Sequence, residues 1–152
     1  LSDNNINGYS LEAKQLLPWW QGRTVTALRF YIQDMYGTGI PFNLQSGLGG
    51  AFEMRSFIPD RFRDTGKAVL TWEQRIKVWE HEFFGINVEL HADPFIEVGR
   101  VFNHLQNFSF DDMQVVGGIG LRAFVPPNVL ARIDIAVGSE GYNIYTMLNY
   151  PF

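Results

Sequence analysis

Apolar and polar residues alternate with a period of two along most of the chain, and that period predicts β-strands, not helices. Over 24–34, Thr24, Thr26, Leu28, Phe30 and Ile32 share one face, and Arg29, Tyr31 and Gln33 share the other. Over 67–80, Ala68, Leu70, Trp72, Ile76 and Val78 oppose Glu73, Arg75 and Lys77, with Gln74 interrupting the apolar row. The clearest alternation runs over 86–98. There Ile86, Val88, Leu90, Ala92, Pro94, Ile96 and Val98 form one face, and Asn87, Glu89, His91, Asp93 and Glu97 form most of the other. Pro94 removes a ladder donor and predicts a bulge or a local edge. Three further strands are predicted at 117–125, 129–137 and 142–152, the first with Arg122 and the second with Arg132 and Asp134 on the polar side. Pro126-Pro127-Asn128 reads as the tight turn between the first two. Residues 1–21 read as an Asn-rich loop ending in Trp19-Trp20, a pair suited either to a membrane interface or to core packing; without a membrane, packing is favoured.

Between the first two predicted strands lies a long segment, 37–66, too long for a hairpin turn and too rich in glycine for a helix. Its repeated Phe and Leu offer apolar surface to bury, so the pattern predicts an ordered loop. Arg55, between Met54 and Phe57, keeps its charge at any ordinary pH, so a loop folded onto the polar face needs a carboxylate beside it. Glu97, Glu73, Glu89 and Asp93 are the candidates. The alternative is a surface loop in which Arg55, Arg61 and Arg63 are solvated.

Composition narrows the class mainly by exclusion. The 152 residues suffice for one domain, and a hydrophobic fraction of 46% is ordinary for a globular protein. No apolar run approaches the roughly 20 residues of a transmembrane helix. Strands that alternate between lipid and a polar lumen escape that test, because their average hydropathy looks soluble. The absence of cysteine excludes disulfides and thiolate chemistry, and a net charge of -4 gives no electrostatic case for nucleic acid. With Leu1 in place of an initiator Met and no signal segment ahead of the fold, the sequence reads as a mature or excised piece of something longer.

Several stretches resemble the Omp85 superfamily of outer-membrane barrels, which insert or translocate other proteins. Gly49-Gly50, Met54-Arg55-Ser56-Phe57 and Arg61-Phe62-Arg63-Asp64 resemble that family's inward-folded loop, with Ser56 where its tip signature has glycine. Serine is strained where φ is positive, so a differently shaped tip is expected. Trp72-Glu73-Gln74-Arg75, Phe95-Ile96-Glu97-Val98-Gly99, Gly118-Ile119-Gly120-Leu121-Arg122 and Arg132-Ile133-Asp134-Ile135-Ala136 are similar to successive strands of the group. Tyr150 and Phe152 look like its C-terminal assembly signal. The resemblance implies an all-β fold: an antiparallel transmembrane β-barrel, of which this chain is the last six strands of sixteen. It favours Glu97, with Glu73, as the partner that docks the loop. It implies a polar lumen bearing Arg75, Glu89, His91, Asp93, Arg122, Arg132 and Asp134. It also implies membrane lipid and client or passenger proteins as partners, with periplasmic modules or accessory lipoproteins upstream. The location implied is a bacterial outer membrane, or an organelle outer membrane of bacterial descent.

Catalytic patterns do not hold up. His81-Glu82 starts like a zinc-protease helix, but Gly85 stands where the second histidine belongs. His91 between Glu89 and Asp93 reads as a wet polar lining more readily than as a metal site. Gly47-Leu48-Gly49-Gly50 lacks the Lys-Ser/Thr of a phosphate loop, and Asp111-Asp112 reads as a solvated loop. The expectation is a non-enzymatic protein with no cofactor and no bound metal. It would be an insertion or translocation component, with a barrel anchor or pore for an attached hydrolase or passenger, or a soluble β-sandwich binding module, as alternatives. Six strands would leave two unpaired edges, so a membrane barrel would need further strands or further copies.

Overall fold

A computed structural model describes residues 5–125 and 129–148. The fold is all-β. Seven strands form one antiparallel sheet: β1 (Asn7–Trp19), β2 (Thr24–Tyr36), β5 (Gly66–Phe83), β6 (Ile86–Phe102), β7 (Gln114–Val125), β8 (Val129–Gly138) and β9 (Gly141–Met147), in that spatial order. A second, two-stranded sheet, β3 (Ser46–Leu48) with β4 (Phe62–Asp64), lies within the long loop. Among the described residues the large sheet is open, with β1 and β9 at its edges, and no closed barrel forms. Among the described residues, helical structure is limited to three-residue turns at Trp20–Gly22, Phe42–Leu44 and Leu105–Asn107.

Asn7–Trp19, within the stretch whose composition predicts a loop, is instead a strand paired with β2 along its whole length, from Asn7 with Tyr36 to Trp19 with Thr24. The large sheet therefore has seven strands, one more than expected. Among the described residues β1 is an edge strand, where Pro18 has one ladder to serve. Trp19 and Trp20 are 57% and 83% exposed, which removes the core-packing reading of the pair. Strands β5 and β6 run longer than expected, to Phe83 and to Phe102.

Successive residues point to opposite faces, and the two faces differ sharply. Leu70, Ile96, Ile119, Leu121, Ile133 and Ile144 stand exposed on one. Glu73, Glu97, Arg122, Arg132 and Asp134 are buried on the other, under the long loop. Register fixes this division, since a slip of one residue would exchange the faces. One such irregularity exists. A bulge between Lys77 and Trp79 lets Val78 and Trp79 both point away from the charged face, where Val78 is 58% and Trp79 42% exposed. At Pro94 the β5–β6 register continues unshifted, but paired positions are absent between Glu73/Phe95 and Ile76/Ala92. Asp93 fills part of that gap, its Oδ1 accepting the Ile76 amide at 3.2 Å.

Connections at the two ends of the sheet also differ. Trp20–Gly22 and Phe84-Gly85 make short turns at one end; the 37–61 segment and the 103–113 segment lie at the other. The turn expected at 126–128 lies outside the described residues. Aromatic side chains gather outward near both ends: Trp19, Trp79 and Phe83 at the short-turn end, Tyr36, Phe110 and Tyr142 at the loop end.

Candidate functional site

The long loop leaves β2, folds back across the charged face and returns into β5. Its path is set by the β3–β4 ladder, in which Ser46 pairs with Asp64 and Leu48 with Phe62. Beyond Leu48 the backbone reverses at Gly49, where φ is +118° and any side chain would overlap the Ile58 carbonyl. The tip is a tight turn closed by the Phe57 amide donating to the Met54 carbonyl at 3.0 Å. Met54, not Ser56, takes the left-handed conformation there, with φ 52°. The expected strain at Ser56 is therefore absent. What Ser56 requires is space, because its hydroxyl lies against Gly138, where any Cβ would overlap it.

Apolar packing carries the tip down to the sheet. Leu48, Met54 and Phe57 are buried against Val69, Phe95, Val116 and Ala136 from β5, β6, β7 and β8. Phe57 also meets Phe62 edge-on, with ring centroids 5.0 Å apart. One loop thus touches four adjacent strands through side chains that each bury most of their surface.

At the centre of that contact Arg55 is fully buried, and each of its nitrogens has a carboxylate partner. Its backbone amide donates to Glu97 Oε2 at 2.7 Å and its Nε to Glu97 Oε1 at 2.9 Å. Nη1 donates to Asp134 Oδ2 at 3.0 Å and to Glu73 Oε2 at 3.3 Å, and Nη2 reaches Glu73 Oε2 at 3.4 Å. The guanidinium lies 3.3 Å from the centroid of the Phe95 ring, a cation–π contact beneath the fork. Burial alone would weaken the charge on Arg55. The carboxylates of Glu97, Glu73 and Asp134 outweigh that and hold its pKa above the ordinary value.

The network extends sideways through two more buried arginines. Arg122 lies 2.9 Å from Asp93, 3.2 Å from Glu73 and 3.5 Å from Asp134. Arg132 Nε is 2.9 Å from Asp134 Oδ2, and its Nη2 donates to the Ala51 carbonyl of the loop. Arg55, Arg122 and Arg132 thus face Glu73, Asp93, Glu97 and Asp134, all with side chains 0% exposed. Arg75, 13% exposed and 3.0 Å from Glu73, brings the positive charges to four against four. Charges this deep persist only when matched and hydrogen-bonded, so the cluster is a single interdependent unit.

Of the expected partners, Glu97 and Glu73 meet Arg55, while Glu89 and Asp93 do not. Glu89 turns to Lys77 at 3.4 Å and to His91 at 3.3 Å. Asp134, expected only to face the lumen, is a direct partner of Arg55. The solvated-loop alternative fails for Arg55 and holds in part for Arg61 and Arg63, which keep 44% and 24% exposure. Comparisons with protein-family models, curated proteins and solved structures find no match. Tyr150 and Phe152 lie outside the described residues. Among the described residues no group of His, Asp or Glu is arranged to hold a metal ion.

Other loop contacts escaped the sequence reading. The Tyr145 hydroxyl on β9 donates to the Phe57 carbonyl at 2.9 Å, and Arg61 makes a two-bond pair with Glu140 at 2.8 and 2.6 Å. Lys67 reaches Glu53 at 2.9 Å and the Gly47 carbonyl at 3.1 Å. A glutamate in the β8–β9 turn and a tyrosine at a polar-face position were the available signals. With these contacts the loop spans from β5 to the edge strand β9. The arrangement ties the loop to the sheet through matched buried charges and apolar packing.

Proposed function

We propose that this chain is the loop-bearing part of a transmembrane β-barrel that inserts or translocates other proteins at an outer membrane. The observation that carries the reading is the Arg55 clamp, a fully buried charge cluster fixing a long loop to one face of a sheet whose other face is mainly apolar and, away from the 103–113 segment at the loop end, uncovered. A water-soluble sandwich would bury that apolar face against a second sheet; here the small β3–β4 sheet lies on the charged side instead. Lipid is the solvent that suits the exposed face. The outward row from Ile86 to Val98 spans roughly 40 Å at about 3.3 Å per residue, or roughly 30 Å at a tilt of about 40°, close to a bilayer's hydrocarbon thickness. Aromatic residues near both ends and long connections at one end fit the same picture. No helix among the described residues is long and apolar enough to cross a membrane, which leaves strands as the spanning elements of this reading.

In this reading the resemblance to Omp85 barrels supplies the activity, and the clamp supplies its physical basis. The loop ties β5, β6, β7, β8 and β9 together from inside, holding the sheet's curvature while the β9 edge offers backbone groups to an incoming strand. Closure requires further strands to pair with β1 and β9.

Two measurements test the proposal. The native protein should resist carbonate extraction and require detergent; release without detergent would overturn the membrane assignment. In vesicles carrying the native protein, Arg55→Ala should slow insertion of an unfolded barrel client. If clients insert equally fast with wild type, with the variant and with empty vesicles, the chain is an anchor or pore and the insertion reading fails.

A further inference from the structure

On the apolar face, near the loop end, three in-register rows of outward side chains form a stepped recess. The top row is Tyr9, Asp34, Gly66 and Phe102, the next is Leu11, Ile32, Ala68 and Arg100, and the third is Ala13, Phe30, Leu70 and Val98. In the middle column Ala68 leaves room, while the Phe102 ring fills the space over Gly66. The segment after β6 folds over that room: Arg100 donates to the Ser109 and Asp111 carbonyls, and Phe108 stands edge-on to Phe102 and Phe110 at 5.5 and 5.3 Å. The result is a groove of about 260 Å³ walled by Phe30, Ile32, Leu70, Val98, Phe108 and Phe110. Beside it lies a hollow of about 440 Å³, lined by Tyr9, Asp34, Tyr36, His104 and Leu105. Ile32 in the groove and Asp34 in the hollow are two residues apart on the same face of β2, roughly 7 Å.

Asp34 takes no part in the loop clamp, yet its side chain is only 7% exposed. Its Oδ2 accepts the Tyr9 hydroxyl at 3.3 Å and the Leu105 amide at 3.0 Å. Its Oδ1 has no hydrogen-bond partner among the described residues, and the half-exposed His104 ring stands 4.0 Å from it. A buried carboxylate oxygen without a donor is costly, and a cation beside it removes that cost. The Tyr9 and Tyr36 rings wall the same hollow, with centroids 6.3 Å apart and planes inclined at 51°, and aromatic faces attract cations too.

We propose that this recess is a lipid site that selects an amine-bearing phospholipid. The ammonium rests against Asp34 Oδ1, Tyr9 and Tyr36 as the exposed His104 ring turns aside, and an acyl chain of the same molecule lies in the groove between Phe30, Leu70, Phe108 and Phe110. A purely anionic headgroup is disfavoured, because it would bring a second negative charge against Asp34. The proposal rests on the membrane reading of the apolar face and adds which lipid that face selects.

The test uses the detergent-solubilised full chain and two lysolipids with the same acyl chain, lysophosphatidylethanolamine and lysophosphatidylglycerol, with retention measured by native mass spectrometry. Wild type should hold the amine lipid about tenfold more tightly, the worth of a charge-assisted contact. Asp34→Asn keeps an oxygen for Tyr9 and Leu105 but should abolish the preference; Tyr36→Leu, at the exposed rim, should weaken it severalfold. If Asp34→Asn does not fold, Tyr36→Leu carries the test alone. Equal retention of the two lysolipids by wild type, or undiminished preference in the folded variants, overturns the site. Equal affinity for glycerophosphoethanolamine, which has no acyl chain, overturns the groove assignment. Carbonate release of the protein would instead overturn the membrane reading itself, so the two failures are distinguishable.

Discussion

Truncating Arg55 should release the loop, and the absence of cysteine from the chain makes the release measurable. Arg55→Ala removes one positive charge from the buried cluster and leaves Glu97 without its partner at Nε and Glu73 and Asp134 without theirs at Nη1. Removing one member of a buried ion pair costs ~3–5 kcal/mol, because the remaining charges stay desolvated. That corresponds to roughly two to three and a half decades in the population of the undocked loop. Ser56→Cys places a thiol at a position 7% exposed in the docked loop. When opening and closing are fast, its maleimide labelling rate follows the open population. The labelling rate should rise at least about a hundredfold when Arg55→Ala is added, at the lower end of that range. Arg55→Lys should fall between, since an ammonium keeps the charge but loses the planar fork. A rise below about fivefold, roughly 1 kcal/mol, would mean that apolar packing of Met54 and Phe57 holds the loop and that the cluster is incidental.

Exchanging the charges, Arg55→Glu with Glu97→Arg, should restore no docking in a loop-protection assay, because a carboxylate at position 55 would face Glu73 and Asp134 as well; full recovery would show that Glu97 alone matters. Gly138→Ala should destabilise the fold by about 1–3 kcal/mol through its overlap with the Ser56 hydroxyl, read as a lower thermal midpoint, and adding Ser56→Gly should recover most of the loss. Gly118→Ala should be worse and have no such rescue, since its Cβ overlaps both the Phe95 ring and the Ile135 carbonyl. Tyr145→Phe should cost about 1 kcal/mol, read as faster hydrogen exchange at the Phe57 amide; unchanged exchange would detach β9 from the clamp.

Much of the sheet was legible because alternation is a local property of the pleated backbone. Ile86 through Val98 marks both faces of β6 with no reference to any other strand. The same signal was present in β1, where Tyr9, Leu11, Ala13, Leu17 and Trp19 share a parity. Gln15 interrupts that row, and Pro18 with the Asn-rich start masks it. Tertiary structure decided the matter, since an edge strand needs only one good partner, and β2 supplies it along thirteen positions. The bulge at Val78 was not legible, because which residue a strand leaves unpaired depends on its neighbour's register.

The site divides the same way. The sequence determined that Arg55 sits on a loop with apolar flanks, that such a charge needs a carboxylate, and that Glu73, Glu97 and Asp134 stand on polar faces. The tertiary structure decided which of them it meets. Asp134, 79 positions away, joins Arg55 while Asp93 turns to Arg122, a choice made by strand register and by where the tip turn lands. It also decided that the strained residue of the tip is Met54 and that Ser56 instead needs a glycine opposite. Local pattern sets what each residue must have; only the assembled sheet and loop set which partner supplies it, because those distances come from pairings across the chain.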